Sequence, residues 1–213
     1  MGALNGSLSY TRFYVEGELP PDFRRRFVEA AQDRAFIPLA PGDEDEERMG
    51  WCSIEHPLDL VFDEHKLFYN EYLNLALRID RWRLPAALVK AFCTEAERKY
   101  LLENRKERLR KSEREEIKAS IIADLKARLL PALQTIDVSW NTHTGIVRFW
   151  NQSARLCETF HDLFEETFKV RLIPDNPYVS ALQCELDETQ TERLADLEPV
   201  LFHRLDHATG ADA

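Results

Sequence analysis

Glycine is scarce in this chain, with seven residues in 213. Loops that cradle phosphate need glycines at fixed spacing, and neither a P-loop nor a GxGxxG pattern occurs. The nucleophile elbow GxSxG is also absent. Together these absences remove the common nucleotide-binding and hydrolase signatures. Cysteine is sparse too. Cys52, Cys93, Cys157 and Cys184 are widely scattered and form no CxxC pair. They read as reduced thiols rather than as a disulfide framework or a zinc site. No apolar run approaches the roughly 20 residues of a membrane span. Met1 to Tyr10 lacks the basic start and apolar block of a secretion signal, so the expected location is the cytoplasm.

What is present is charge and a sizeable core. The chain is 44% hydrophobic, enough to fold as one globular domain or as one body with an appended subdomain. Its net charge of −10 argues against a uniformly basic nucleic-acid coat. A local basic patch remains compatible with that total, because binding depends on where charge sits.

Leu8 to Val15 is aromatic and β-branched and reads as a strand. After Pro20-Pro21, Phe23, Phe27 and Ala30 or Ala31 recur at helical spacing through about Arg34. Asp43 to Glu47 is a block of like charge expected to stay exposed. Met49 to Ile54 reads as a short strand, and Pro57 to His65 as a connection. Tyr72 to Arg83 is the clearest strand, with Leu73, Leu75, Leu77 and Ile79 on one face by alternation. Later, Ile136 to Trp140 and Ile146 to Trp150 form a hairpin about Asn141–Gly145. Ser153 is placed as the N-cap of an amphipathic helix through Lys169. Val170 to Ile173 can form a strand and Pro174 to Pro177 a loop. A last helix over Thr189 to Leu205 is broken near Pro199, and the tail from His207 frays. Strands grouped with helices to one side give an α+β fold of small antiparallel sheets.

Between these groups, residues 84–130 form a basic helical segment within an acidic protein. Pro85 suits a first helical turn. Val89, Phe92, Cys93, Ala96 and Tyr100 make an apolar stripe that ends after Leu102. Ser112 with Glu115 has capping-box spacing, which starts a second helix. Its stripe runs through Ile117, Ile121, Leu125 and Leu129 to Pro131. Both stripes fade toward the same turn, so the expected geometry is an antiparallel hairpin with packed roots and a solvated tip. The expected organisation is a central body over 1–83 and 131–180, the hairpin over 84–130, and a C-terminal helix and tail over 181–213.

The hairpin cations are Arg98, Lys99, Arg105, Lys106, Arg108, Arg110, Lys111, Arg114 and Lys118. Glutamates interleave with them, and i,i+4 pairing lowers their free charge. From Arg105 to Lys111 only Glu107 opposes the positive charge, which is the best local nucleic-acid signal. Charge alone equally fits a solvated hairpin with no ligand. Arg78, Arg81 and Arg83 gather at the strand end that feeds the hairpin. An enzyme reading must use Asp59, Asp63, Glu64 and His65, which resemble a metal cluster by composition. Two-metal nuclease chemistry needs carboxylates on rigid positions, and these lie in a loop without ligand spacing. No cofactor or metal is therefore expected. Trp51, Trp82, Trp140 and Trp150 can stack on bases, but at strand positions core packing is the better assignment.

This order of features resembles the RdgC family of bacterial recombination-associated proteins. The resemblance rests on Met49-Gly50-Trp51, the arginine-ended strand before Leu84-Pro85, and the charged segment Glu97 to Lys118. It continues through Leu129-Leu130-Pro131, Trp140, Gly145 and Ser153-Ala154, and covers roughly Leu8 to Pro174. It implies a non-enzymatic, nucleoid-associated homodimer that encircles duplex DNA without sequence preference and restrains the RecA recombinase. Applied here, it makes Arg78, Arg81, Arg83, Arg105, Lys106, Arg108, Lys111, Arg114 and Lys118 candidate phosphate contacts. Family members typically carry a further C-terminal base domain, and this chain looks like a shortened form. That leaves an open dimer, another oligomer or a monomer. The main alternative is a protein–protein module using the hairpin as an adaptor arm.

Overall fold

A computed structural model describes residues 2–6, 8–184 and 186–197. The chain divides into two compact units, Met1–Ile173 and Pro174–Ala213. The first contains both the sheet and the helical hairpin. In chain order it runs β1 (Thr11–Glu16), α1 (Phe23–Asp33), β2 (Glu47–Cys52), α2 (Glu64–Leu67), β3 (Phe68–Tyr69) and β4 (Tyr72–Arg81). It continues with α3 (Ala86–Glu103), α4 (Lys111–Arg128), β5 (Ala132–Asn141), β6 (Ile146–Phe149), α5 (Ala154–Phe168) and β7 (Arg171–Pro174). The second unit holds α6 (Pro177–Leu182) and α7 (Glu188–Ala195). Asn176 and Asp187 cap these helices through side-chain oxygens on the Val179 and Gln190 amides, at 2.9 Å and 2.8 Å. Of the last helix expected over 189–205, α7 is the described part; the break near Pro199, the remainder of that helix and the tail lie outside the described residues.

The fold is α+β, and both strand groups join in one seven-stranded sheet ordered β2-β4-β5-β6-β1-β7, with β3 on β4. The sequence suggested smaller separate sheets. They merge because β4 and β5 pair antiparallel over their whole length, from Tyr72↔Asn141 to Arg81↔Ala132. β2 takes residues 76–81 of the other edge of β4, and β3 takes Tyr72 and Leu73.

Strict alternation puts Leu73, Leu75, Leu77 and Ile79 on one sheet face. All four are buried, together with Ile136, Val138, Trp140, Val147 and Phe149 from the neighbouring strands. α1 and α5 cover that face. Phe27 and Ala31 come down from α1, and Phe160, Phe164 and Phe168 from α5. Aromatic rings dominate the contact: Phe160 stacks on Phe149 with centroids 4.3 Å apart, and Trp140 meets Phe27, Phe164 and Phe168 at 5.1 to 5.8 Å. Trp51 closes the layer, donating its indole N–H to Thr167 at 2.9 Å. The tryptophans at positions 51 and 140 are thus core residues, with no exposed surface.

Gly50 sits where residues 34–36 run alongside β2 in a parallel bridge of Ala35 with Trp51. A Cβ there would lie 2.6 Å from the Phe36 Cα, so only glycine fits the approach. The bridge is fixed by Phe36 donating to the Trp51 carbonyl at 2.8 Å and Trp51 donating to the Arg34 carbonyl at 3.0 Å.

Local structure departs from the sequence reading in several places. Strand β1 starts at Thr11, and Leu8 is 88% exposed. Residues Glu64–Leu67 form a short helix capped by Asp63, not a loop. The acidic block is not uniformly exposed. Asp43 and Asp45 hold Arg48 at 3.0 Å and 2.7 Å, and Glu47 opens β2 facing two arginines. Opposite charges nearby convert a repulsive run into a set of local clamps.

Candidate nucleic-acid interface

The arm α3–α4 joins two strands that are neighbours in the sheet, so it leaves and re-enters the body at one place, Arg81 and Ala132. Each of its helices has 18 residues, a length of about 27 Å. Glu97 pairs with Arg114 at 3.3 Å, and Tyr100 donates to Glu113 at 3.3 Å. These cross-links fix an antiparallel hairpin, as the two fading stripes suggested.

Its root is packed less well than its stripes implied. No residue of α3 is buried, and Leu125 is the one buried residue of α4 among those described. Val89, Cys93, Ala96 and Tyr100 turn inward, but Phe92 lies one position round the helix and is 42% exposed.

The cap of α4 is one residue pair earlier than Ser112 and Glu115. The helix starts at Lys111, and the Glu113 carboxylate accepts the Arg110 backbone N–H at 2.8 Å. Glu113 also takes the ammonium of Lys106 in an ion pair and the hydroxyl of Tyr100. Three donors converge on one carboxylate and tie the tip loop to both helices. Led by the Lys106 bond, they hold the Glu113 carboxyl down at about 2, against an ordinary value of 4.5. A depressed carboxyl stabilises the fold above its unfolded value and loses that contribution as pH falls. Order at the tip is therefore expected to persist to about pH 4.5 and to disappear as pH falls through about 2. The Arg110 amide resonance, followed in an acid titration, reads this directly.

The nine candidate cations are not equivalent. Arg78 is 7% exposed, on the sheet face away from α1 and α5. Its guanidinium forks onto Asp80 at 2.9 Å and 2.6 Å, donates to the Pro57 carbonyl, and lies 4.1 Å from the Phe36 ring centre. It is a structural residue that cannot reach a phosphate, and its place among the contacts is corrected. The sequence showed an arginine at a strand end; it did not show the 53–60 loop folding over it. Replacing Arg78 with Met is expected to leave Asp80 buried without a counter-charge, at a cost of about 3 kcal/mol. Urea unfolding measures that loss, and the salt dependence of any DNA binding should stay unchanged.

Four further candidates are already engaged. Arg81 pairs with Glu47, Lys106 with Glu113, Lys111 with Glu115 at 3.9 Å, and Arg114 with Glu97. The Lys111 pair is highly exposed and contributes little. Arg83, Arg105, Arg108 and Lys118 are exposed and have no carboxylate partner among the described residues. Arg98 and Arg110 share that condition. Arg105 sits at the hairpin turn with φ of 51°. Over residues 84–131 there are twelve Lys and Arg against eight Asp and Glu, so the arm is positive while the whole chain carries −10.

At the root a second positive zone forms. Arg155, in the first turn of α5, reaches the carboxylate of Glu47 at 3.4 Å, and Arg81 pairs with the same carboxylate. A cavity of about 350 Å³ opens beside them, lined also by Arg83, Gln134 and Ser153. Nothing local points to Arg155, because it lies beyond the hairpin and joins the root only through the sheet topology.

The carboxylates proposed for metal chemistry have other work. Asp59 holds Lys66 at 2.7 Å, Asp63 caps α2 on the Lys66 amide at 2.9 Å, and Glu64 meets Arg24 at 3.4 Å. Among the described residues no group of three or more His, Cys, Asp and Glu side chains is placed to hold a metal ion. All four cysteines are free, and burial pushes the Cys52 thiol up to about 12. Among the described residues no helix is long and apolar enough to cross a membrane.

No protein-family model and no curated protein matches this chain.

Proposed function

We propose that this protein binds double-stranded DNA through the arm, without sequence preference and without catalysis. The observation that carries the reading is the set of exposed cations at Arg105, Arg108 and Lys118, without a carboxylate partner among the described residues, on a positive arm of an acidic protein. Such cations contact phosphates, which position a protein on a duplex but carry no sequence information. An acidic body beside a basic arm also biases DNA toward the arm and its root, because the net-negative remainder repels it. The RdgC resemblance extends this to a nucleoid-associated homodimer in the cytoplasm. There it would restrain recombination by occupying DNA that the RecA recombinase needs.

The test is duplex binding by fluorescence anisotropy across a salt series, with duplexes of unrelated sequence. Affinity that falls steeply with salt and is equal for all duplexes supports the reading. No binding at low salt overturns it.

A second reading has its own observation. Leu88, Phe92 and Leu102 of α3 are 36%, 42% and 71% exposed, and an apolar face of that kind suits a protein partner. On that reading the arm is an adaptor. Retention of a protein from nuclease-treated extract, with no DNA retention at low salt, would favour it. Plasmid left intact in the presence of magnesium or manganese disposes of the nuclease reading.

A further inference from the structure

The cavity at the arm root has a charge balance that binding along the arm does not require. Three arginines line it: Arg81 at the end of β4, Arg83 in the connection that follows, and Arg155 in α5. One carboxylate, Glu47, faces them. It is 20% exposed and pairs with both Arg81 and Arg155. The guanidinium of Arg83 has no carboxylate partner among the described residues. Two positive charges therefore remain uncompensated.

A further positive end opens onto the same space. The 15-residue α5 begins at Ala154, and Ser153, Arg155 and Leu156 of its N-terminal turn line the cavity. The Ser153 hydroxyl makes no cap bond, and the first turn holds no acidic residue. The Ser153 N–H is taken by the Asn151 side chain at 2.8 Å, the N–H groups of Ala154, Arg155 and Leu156 have no acceptor among the described residues, and the helix dipole adds about half a positive charge there. Gln134 supplies a neutral amide on the β5 side.

We propose that this cavity is a phosphomonoester site. A backbone phosphodiester brings one negative charge, whereas a phosphomonoester brings nearly two, which matches the surplus. Guanidinium forks suit its three equivalent oxygens, and the helix terminus supplies backbone donors. At about 350 Å³ the cavity also has the volume of a small-ligand site. Glu47 orders two of the guanidiniums and competes with the arriving oxyanion for them. Two sources share this chemistry: the phosphorylated end of a DNA strand, and a free phosphorylated compound such as a nucleotide.

The experiment is an NMR titration of the full-length protein with adenosine monophosphate, with adenosine as control. Saturable shifts at the Ser153 to Leu156 amides are expected with the monophosphate and not with adenosine. The R83A/R155A double variant should weaken binding about ten- to a hundredfold, the usual cost of losing charge-assisted hydrogen bonds. Glu47→Gln should strengthen it, because a competitor is removed; this variant keeps the test decisive if the double variant is poorly folded. Competition then assigns the source. Displacement by a 5′-phosphorylated duplex and not by its hydroxyl-ended twin identifies a DNA end. Displacement by neither identifies a free phosphorylated compound. Equal displacement by both overturns the monoester assignment. Absence of saturable shifts in both the native protein and the Glu47→Gln variant overturns the site altogether. Because the probe is a mononucleotide, that result stands whether or not the arm binds duplex DNA.

Discussion

Changing Arg105, Arg108 and Lys118 together to glutamate is expected to weaken duplex binding about a hundredfold at about 0.1 M salt, equally for every sequence. These three have no carboxylate partner among the described residues, so the substitution removes charge that is left for a ligand. Each lost phosphate contact lowers the slope of log K against log salt by about 0.9, and three lower it by about 2.7. Anisotropy over a salt series measures both quantities. Unchanged affinity would remove the arm from the binding surface. Lys106→Glu is a different experiment. It places a second carboxylate beside Glu113 and breaks the ion pair that ties the tip together, so its first effect is on tip order. Pairing therefore decides which cations report on DNA, and the raw count of positive residues does not.

The second large effect concerns the core. Phe160→Ala is expected to cost about 4 kcal/mol of stability. Phe160 has no exposed surface and touches four other rings: Phe13, Trp51, Phe149 and Phe164. These rings come from three strands and α5, so the cavity left by the truncation borders both layers and cannot collapse by moving one side chain. Urea denaturation of the variant measures the loss. A cost below about 1 kcal/mol would mean that α5 is not anchored through this ring. The same helix presents its first turn to the root cavity, so loosening it should also weaken monophosphate binding there.

What could be read from the residues was what depends on short-range periodicity. Alternation in Tyr72 to Arg83 set the buried face of β4. Amphipathic spacing after Ser153, with Leu156, Phe160, Leu163, Phe164 and Phe168 on one side, set that of α5. Fading stripes located the hairpin and its turn. What escaped was set by partners distant in sequence. Arg78 looked like an end-of-strand cation because nothing local shows Pro57 and Phe36 closing over it. In the Asp43 to Glu47 run, Glu47 looked repulsive because Arg81 and Arg155 lie far along the chain, whereas the Arg48 clamp on Asp43 and Asp45 is local and depends on how the loop turns back on itself. The cap of α4 was misplaced for a subtler reason. Ser112–Glu115 and Arg110–Glu113 share the same spacing, and only the Lys106 and Tyr100 contacts favour the second. The root cavity was invisible for the reason that hid Arg155: its walls belong to β2, β4, β5 and α5.

The ends of the arm meet as the paired residues Arg81 and Ala132. In design terms the arm is a detachable insert. Joining Arg81 to Ala132 through Asn-Gly would turn β4 and β5 into an ordinary tight hairpin, with the sheet order and the aromatic layer untouched. Closing a loop as long as the arm instead of two residues costs only a few kcal/mol, because the entropy grows with the logarithm of length. A lineage can therefore lengthen, recharge or replace the arm at little risk to the body that carries it. Whatever this protein grips, the grip can change by substitution in an appendage while the fold stays constant.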